Sequence, residues 1–76
     1  KKIRVNSIAP GFIKSSYYNN FKKNKKLLYK WTLSRIPLGK WGENIDIADL
    51  TIFLLSENSK YINGQIIKVD GGWSST

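Results

Sequence analysis

Cysteine, histidine and methionine are all missing from this 76-residue chain, and acidic residues are few, five against thirteen lysines and arginines. Without cysteine there is no disulfide framework and no thiolate zinc site. Without histidine the commonest metal ligand and the commonest general base are gone, and no metal site is expected. The absence of cysteine fits a reducing compartment. No apolar run approaches the roughly 18 residues of a membrane span, and nothing resembles a signal peptide, so the expectation is a cytoplasmic protein without membrane contact. An independently translated chain starts with Met, whereas this one starts at Lys1. A processed product, a fragment or part of a longer chain is therefore expected, and function belongs to a parent molecule.

What is present is basic and small. The net charge of +8 is largely local, with Lys22, Lys23, Lys25 and Lys26 in one stretch. That run is read as a solvated helix face, with an anion site as the alternative. One domain at most fits this length, and a domain so short buries only about 60% of its unfolded surface.

Ile3 to Ala9 is β-branched, nearly uncharged and stopped by Pro10-Gly11, the profile of a strand buried on both faces. Gln65 to Val69, between Gly64 and Asp70-Gly71-Gly72, is a second strand candidate. Between them a helix is expected over 44–56, with Asn44 as N-cap and Asp46 and Asp49 at its positive end. Ile47, Ala48, Thr51, Leu54 and Leu55 would form its apolar stripe. Strand, helix, strand in parallel predicts part of a doubly wound α/β fold. The interval 12–42 is too long for a plain connection and reads as a lid or binding loop, with Tyr17, Phe21, Leu28 and Trp31 on one helical face.

Five blocks then occur in order: Val5-Asn6-Ser7-Ile8-Ala9-Pro10-Gly11, Arg35 to Glu43, Asp46-Ile47-Ala48, Tyr61-Ile62-Asn63-Gly64-Gln65, and Val69-Asp70-Gly71-Gly72. Each resembles the matching block in the C-terminal third of the short-chain dehydrogenases/reductases, and only the stretch near 16–33 lacks a family pattern. The resemblance implies a single Rossmann-type doubly wound parallel sheet of which residues 1–76 are the C-terminal segment. Its parts would be a strand and Pro-Gly turn (1–11), a substrate lid (12–42), a helix (44–56) and the last strand (65–69). The N-terminal cofactor and catalytic part would be absent from this chain.

By the same resemblance the segment after the Pro-Gly turn lines the nicotinamide of NAD or NADP. Pro10, Gly11, Ile13 and Ser15 are the cofactor-binding candidates. Backbone groups at Ile13 would meet the carboxamide, and Ser15 would stand where the family usually has Thr. Ligands of such sheets lie beyond the carboxyl ends of the strands, where glycine permits close approach. Tyr17, Phe21 and Trp31 are the substrate-lid candidates. Trp41 is assigned to the lid hinge and Trp73 to a subunit interface, since family members are usually dimers or tetramers.

No catalytic residue is expected here, because the phosphate loop, the serine and the Tyr-x-x-x-Lys pair of the family belong upstream. Tyr18 and Lys22 do have that spacing. They follow the Pro-Gly turn instead of preceding it, so they are rejected as catalytic. Asp70-Gly71-Gly72 is read as a structural turn, since one carboxylate makes a poor cation site.

The resulting expectation is an NAD(P)-dependent oxidoreductase interconverting an alcohol and a carbonyl of a small molecule, homodimeric or homotetrameric, with this chain alone inactive. Two rivals stand beside it. One is a basic nucleic-acid-binding module with interleaved aromatics Tyr17, Tyr18, Phe21, Tyr29 and Trp31, which lacks any recognition motif. The other is a family member that binds cofactor without catalysing. The substrate and the choice of NAD or NADP are not written in these residues.

Overall fold

The computed structural model describes residues 3–75; Lys1 and Lys2, at the head of the expected first segment, and Thr76 lie outside the described residues. Strand β1 is Ser7–Pro10, helix α1 Tyr18–Asn24, α2 Lys26–Arg35, α3 Asn44–Leu54 and strand β2 Ile66–Val69. Short 3-10 turns follow α3 at Glu57–Ser59 and β2 at Trp73–Ser75. The two strands pair in parallel, Ser7 opposite Ile66 and Pro10 opposite Val69. A parallel pair needs a long crossover, and α1, α2 and α3 all lie within it.

Both strands are shorter than their sequence suggests, and two asparagines explain why. The Asn6 amide donates to the Ile62 carbonyl at 3.2 Å and accepts from the Gln65 N–H at 3.0 Å. Asn63 Oδ1 accepts from the Val5 N–H at 2.9 Å. Side chains thus take the bonds a ladder would use, and regular pairing starts only with Ser7 N–H to Gln65 O at 2.8 Å. Residues 3–6 and Gln65 run alongside the sheet without belonging to it.

Helix α3 starts at Asn44, but Asn44 does not cap it. Glu43, in extended geometry, is the N-cap. Its N–H donates to Asp46 Oδ2 at 2.7 Å, and its carboxylate accepts from the Asp46 N–H, a reciprocal capping box. The helix stops at Leu54, two residues short of the expected Ser56. There the Arg4 guanidinium donates to the carbonyls of Leu54 at 3.1 Å and Ser56 at 3.4 Å. The buried Ser59 hydroxyl adds a bond to the same turn. The inward stripe also differs: Leu54 is buried and Ile47 and Leu50 half-buried, whereas Ala48 and Thr51 are exposed and Leu55 is 81% exposed. Spacing of i, i+3, i+7 is the narrower face that a single two-stranded sheet can accept.

The 12–42 interval is a helical hairpin closed at its base. Ile13 and Gly42 form a parallel bridge, with Gly42 N–H to Phe12 O and Lys14 N–H to Gly42 O both at 2.8 Å. The Lys14 ammonium adds an ion pair to Glu43 at 2.9 Å. Lys25, at φ −126° and ψ 52°, breaks the chain between α1 and α2. One face through Tyr17, Phe21, Leu28 and Trp31 therefore does not exist.

Candidate functional site

The carboxyl ends of β1 and β2 lie side by side, and the first residues beyond each strand touch. A Cβ on Gly11 would fall 2.7 Å from Asp70 Cβ and 2.8 Å from its Cα. The close approach that demands glycine at this position is therefore to the end of β2. Asp70 in turn organises the terminal turn. Its carboxylate accepts from the Gly72 N–H at 3.0 Å, the Ser74 N–H at 3.1 Å and the Ser74 hydroxyl at 2.6 Å. These bonds, the Ser74 hydroxyl foremost, hold the carboxyl below its ordinary range. Gly71 and Gly72 take φ of +61° and +94°, and the turn lies flat on Ile36 and Pro37 at the end of the hairpin.

Pro10 is exposed at the last position of β1. Ile13 is half-buried against Gly42, where its Cδ1 fills the space a Cβ would need. In a parallel bridge of this pattern the central residue directs its own N–H and C=O to the opposite side. Among the described residues neither group of Ile13 meets a partner. Ser15 is exposed; its Oγ accepts from the Tyr17 N–H at 3.3 Å and its carbonyl from the Tyr18 N–H at 3.0 Å, which turns the chain into α1.

The lid candidates separate. Tyr17 is 61% exposed, its ring centroid 6.5 Å from that of Phe21. Phe21 packs on Trp41 at 5.3 Å. Trp31 is 47% exposed and meets Trp73 edge-on at 5.5 Å, with the Arg35 guanidinium 5.6 Å from both indoles. Trp73 thus packs within the chain, also touching Phe12 at 5.1 Å.

Trp41, buried at 7% exposure, is the hub that joins hairpin and sheet. Phe12, Tyr18, Phe21 and Tyr29 all place ring centroids 5.0 to 5.7 Å from it. Its indole N–H donates to the Thr32 hydroxyl at 2.9 Å, which donates to the Tyr29 carbonyl at 2.6 Å. The sequence shows aromatics crowded between residues 12 and 41, which is the only signal for this cluster. Which rings meet is set by the hairpin's fold.

The Tyr18–Lys22 spacing brings the lysine over two rings. The Tyr18 and Tyr29 hydroxyls bond each other at 2.8 Å, and Lys22 lies over both rings, 5.7 and 5.8 Å from their centroids. The Tyr29 phenol is raised above its ordinary value by the Tyr18 bond and then by burial. The carboxylates of Asp46 and Asp70 are likewise engaged in capping and turn formation. Beside the strand ends lie a cavity of about 340 Å³ bounded by Phe12, Trp41, Gly42, Asp70 and Gly71, and an open groove of about 450 Å³ along Pro10, Gly11, Phe12 and Trp73. No helix among the described residues is long and apolar enough to cross a membrane.

Comparison with known proteins gives the family. A family model described as enoyl-(acyl carrier protein) reductase matches residues 1–74. The chain is 44% identical over 73 residues to 2-dehydro-3-deoxy-D-gluconate 5-dehydrogenase of Bacillus subtilis (strain 168), covering 96% of this chain and 28% of that protein. It is 40% identical over 72 residues to 3-oxoacyl-(acyl-carrier-protein) reductase of Thermotoga maritima, covering 95% and 28%. Among solved structures, gluconate 5-dehydrogenase from Burkholderia cenocepacia J2315 in complex with NADP and tartrate superposes with a TM-score of 0.84 at 33% identity, covering 96% of this chain and 28% of that one. 4-Hydroxyisoleucine dehydrogenase complexed with NADH gives 0.86 at 35% identity, covering 97% and 30%. The chain spans only about 28% of the length of the curated relatives it matches. It belongs to the enoyl-(acyl carrier protein) reductase family, within the Rossmann-fold short-chain dehydrogenases/reductases.

Proposed function

We propose that this chain is the C-terminal segment of an NAD(P)-dependent oxidoreductase that interconverts an alcohol and a carbonyl, and that it supplies the nicotinamide wall and the substrate lid. The observation that carries this reading is the unpaired N–H and C=O of Ile13, three residues beyond the end of β1. A primary carboxamide offers one acceptor and two donors, so an adjacent backbone donor and acceptor suit it. Their place beyond the strand ends is where doubly wound sheets bind dinucleotides. When bound, the nicotinamide gives or takes the hydride.

The rest of the work falls to this chain's own residues. Ile13 would orient the carboxamide, and Ser15 would offer it or the diphosphate a hydroxyl. Pro10 and Gly11 would hold that strand end against Asp70. The helical hairpin, anchored through Trp41, would exclude water above the site. The tyrosine, lysine and serine of the chemistry would belong to the remainder of the parent. Of the rings a nucleic-acid module would use for stacking, Tyr18, Phe21 and Tyr29 are packed on Trp41, whereas Tyr17 and Trp31 stay exposed.

Ser15 gives the test. In the intact parent, Ser15→Ala is expected to weaken NAD(P)H binding by about 0.5–1.5 kcal/mol, the net worth of one hydrogen bond. Ser15→Thr, which keeps the hydroxyl, should bind as the parent does. Unchanged cofactor affinity in Ser15→Ala, measured by titration, would remove Ser15 from the wall.

A further inference from the structure

Of the seven asparagines in the chain only Asn63 is followed by glycine. The pair lies in the loop between the Glu57–Ser59 turn and β2, and both residues are exposed. Glycine has no Cβ, so the peptide nitrogen after Asn63 is unhindered. Gly64 takes φ +73°, and beyond its chain neighbours nothing lies within 4 Å of where a Cβ would stand. That nitrogen therefore has room to reach the side-chain carbon of Asn63 and close a succinimide ring.

The fold holds both reacting groups on one residue, Val5. The Val5 N–H donates to Asn63 Oδ1 at 2.9 Å, and the Val5 carbonyl accepts from the Gly64 N–H at 2.9 Å. The Asn6 amide braces the same loop through the Ile62 carbonyl and the Gln65 N–H. Attack requires the Gly64 nitrogen to give up its proton and turn toward Asn63 Cγ, whereas the bond to Val5 keeps it facing the other segment. Asp70-Gly71 could close the same ring. Its carboxyl is held ionised, which makes it a poor electrophile, and it is bound by Gly72 and Ser74.

We propose that Asn63 is a site of spontaneous covalent modification, at a rate set by how often Val5 releases it. In the opened loop hydroxide takes the Gly64 proton, the nitrogen bonds to Asn63 Cγ, and the Cγ–Nδ2 bond breaks. The departing nitrogen takes a proton from water and leaves as ammonia. Water then opens the ring. Addition at Cγ breaks its new bond to nitrogen and gives aspartate. Addition at the main-chain carbonyl breaks the original peptide bond and routes the chain through the side chain as isoaspartate. No oxidant or reductant takes part. Aspartate keeps an acceptor for the Val5 N–H. Isoaspartate adds a methylene to the backbone just ahead of Gln65, whose carbonyl receives the first bond of the β1–β2 ladder, and so it disturbs register there. The proposal does not depend on the oxidoreductase reading.

The test incubates the intact parent at mildly alkaline pH, natively and in urea, and then digests it with trypsin. Cleavage after Lys60 and Lys68 releases a 61–68 peptide in which Asn63 is the only asparagine. Its gain in mass measures total conversion, and methylation by an isoaspartyl methyltransferase counts the isoaspartate. Asn63 is expected to convert ahead of the other asparagines. The native rate should be at least about tenfold below that in urea, as for a group reached only through local opening. Val5→Pro removes the N–H that holds Asn63, and Asn6→Ala removes the brace; each should speed the native reaction several-fold while keeping its thermal transition. Isoaspartyl parent should melt below the Asn63→Asp variant. Equal rates natively and in urea, or folded Val5→Pro and Asn6→Ala variants no faster than the parent, overturn the proposal. So does a native 61–68 peptide still unmodified after another asparagine has converted.

Discussion

Thr32 is buried at 2% exposure between two partners, accepting from the Trp41 indole and donating to the Tyr29 carbonyl. Valine has nearly its shape and neither bond. Thr32→Val would leave the buried indole N–H without an acceptor, and such orphaned groups cost about 1–3 kcal/mol. Chemical denaturation of the intact parent should show a loss of that size, with Trp41 fluorescence shifted by the change around its N–H. Asp70 offers a pH-dependent counterpart. Its folded pKa lies below its unfolded one, so its contribution is present above the unfolded carboxyl range near pH 4. That contribution disappears as pH falls through the folded value. The melting temperature of Asp70→Asn should therefore lie below that of the parent at neutral pH, with the gap closing in strong acid. A constant gap would show that the Ser74 and Gly72 bonds do not depend on the charge. At this scale the sequence is only partly legible. Gly11 is marked as a position of close approach, but its neighbour, Asp70, is far off in sequence. The cap is misplaced by one residue, because Asn44 outranks Glu43 in N-cap preference. The Glu43–Asp46 pair reverses the usual order of a capping box.

At the scale of elements, α1 and α2 differ from α3 in how they are held. No residue of α1 is buried, and neither α1 nor α2 has a side-chain cap. Lys25 and Lys26 also put positive charge at the positive end of α2, which is unfavourable. Hydrogen exchange in the intact parent should therefore find weak protection along α1 and early α2. The clip amides of Lys14 and Gly42 should stay protected, and cofactor should raise protection in the helices more than in the clip. Uniform protection with and without ligand would make the hairpin a rigid insertion. The two strands and α3 were visible in advance through their β-branched runs, glycine stops and acidic first turn. The break at Lys25 was not, because no proline or glycine marks it. The Ile13–Gly42 bridge was equally hidden, since it joins residues that local pattern cannot relate.

On the scale of the whole molecule, the buried hydrophobic side chains are Ile36, Trp41 and Leu54 among the described residues. The radius of gyration is 15.0 Å, where a compact chain of this length would have about 11 Å. Ile3, Val5, Ile52, Leu55 and Ile66 are all more than 60% exposed, and both outer edges of the two-stranded sheet lack a strand partner among the described residues. Ordering the backbone costs roughly 1–2 kcal/mol per residue, which so small a core does not offset. The isolated 76-residue chain should therefore give no cooperative thermal transition and no NAD(P)H turnover. A monomer with a sharp transition would contradict the first expectation, and turnover by the purified chain the second.

The clip at the foot of the hairpin has a consequence for how such proteins diversify. Two backbone bonds and one ion pair hold the ends of the 14–42 segment together, and within it Tyr18 and Phe21 of α1 and Tyr29 of α2 pack on Trp41. Closing a flexible loop twice as long costs only about 0.6 kcal/mol more. The hairpin is in effect an exchangeable cassette. Its length and contacts can be rewritten on one condition: the replacement must bring rings of its own to cover Trp41.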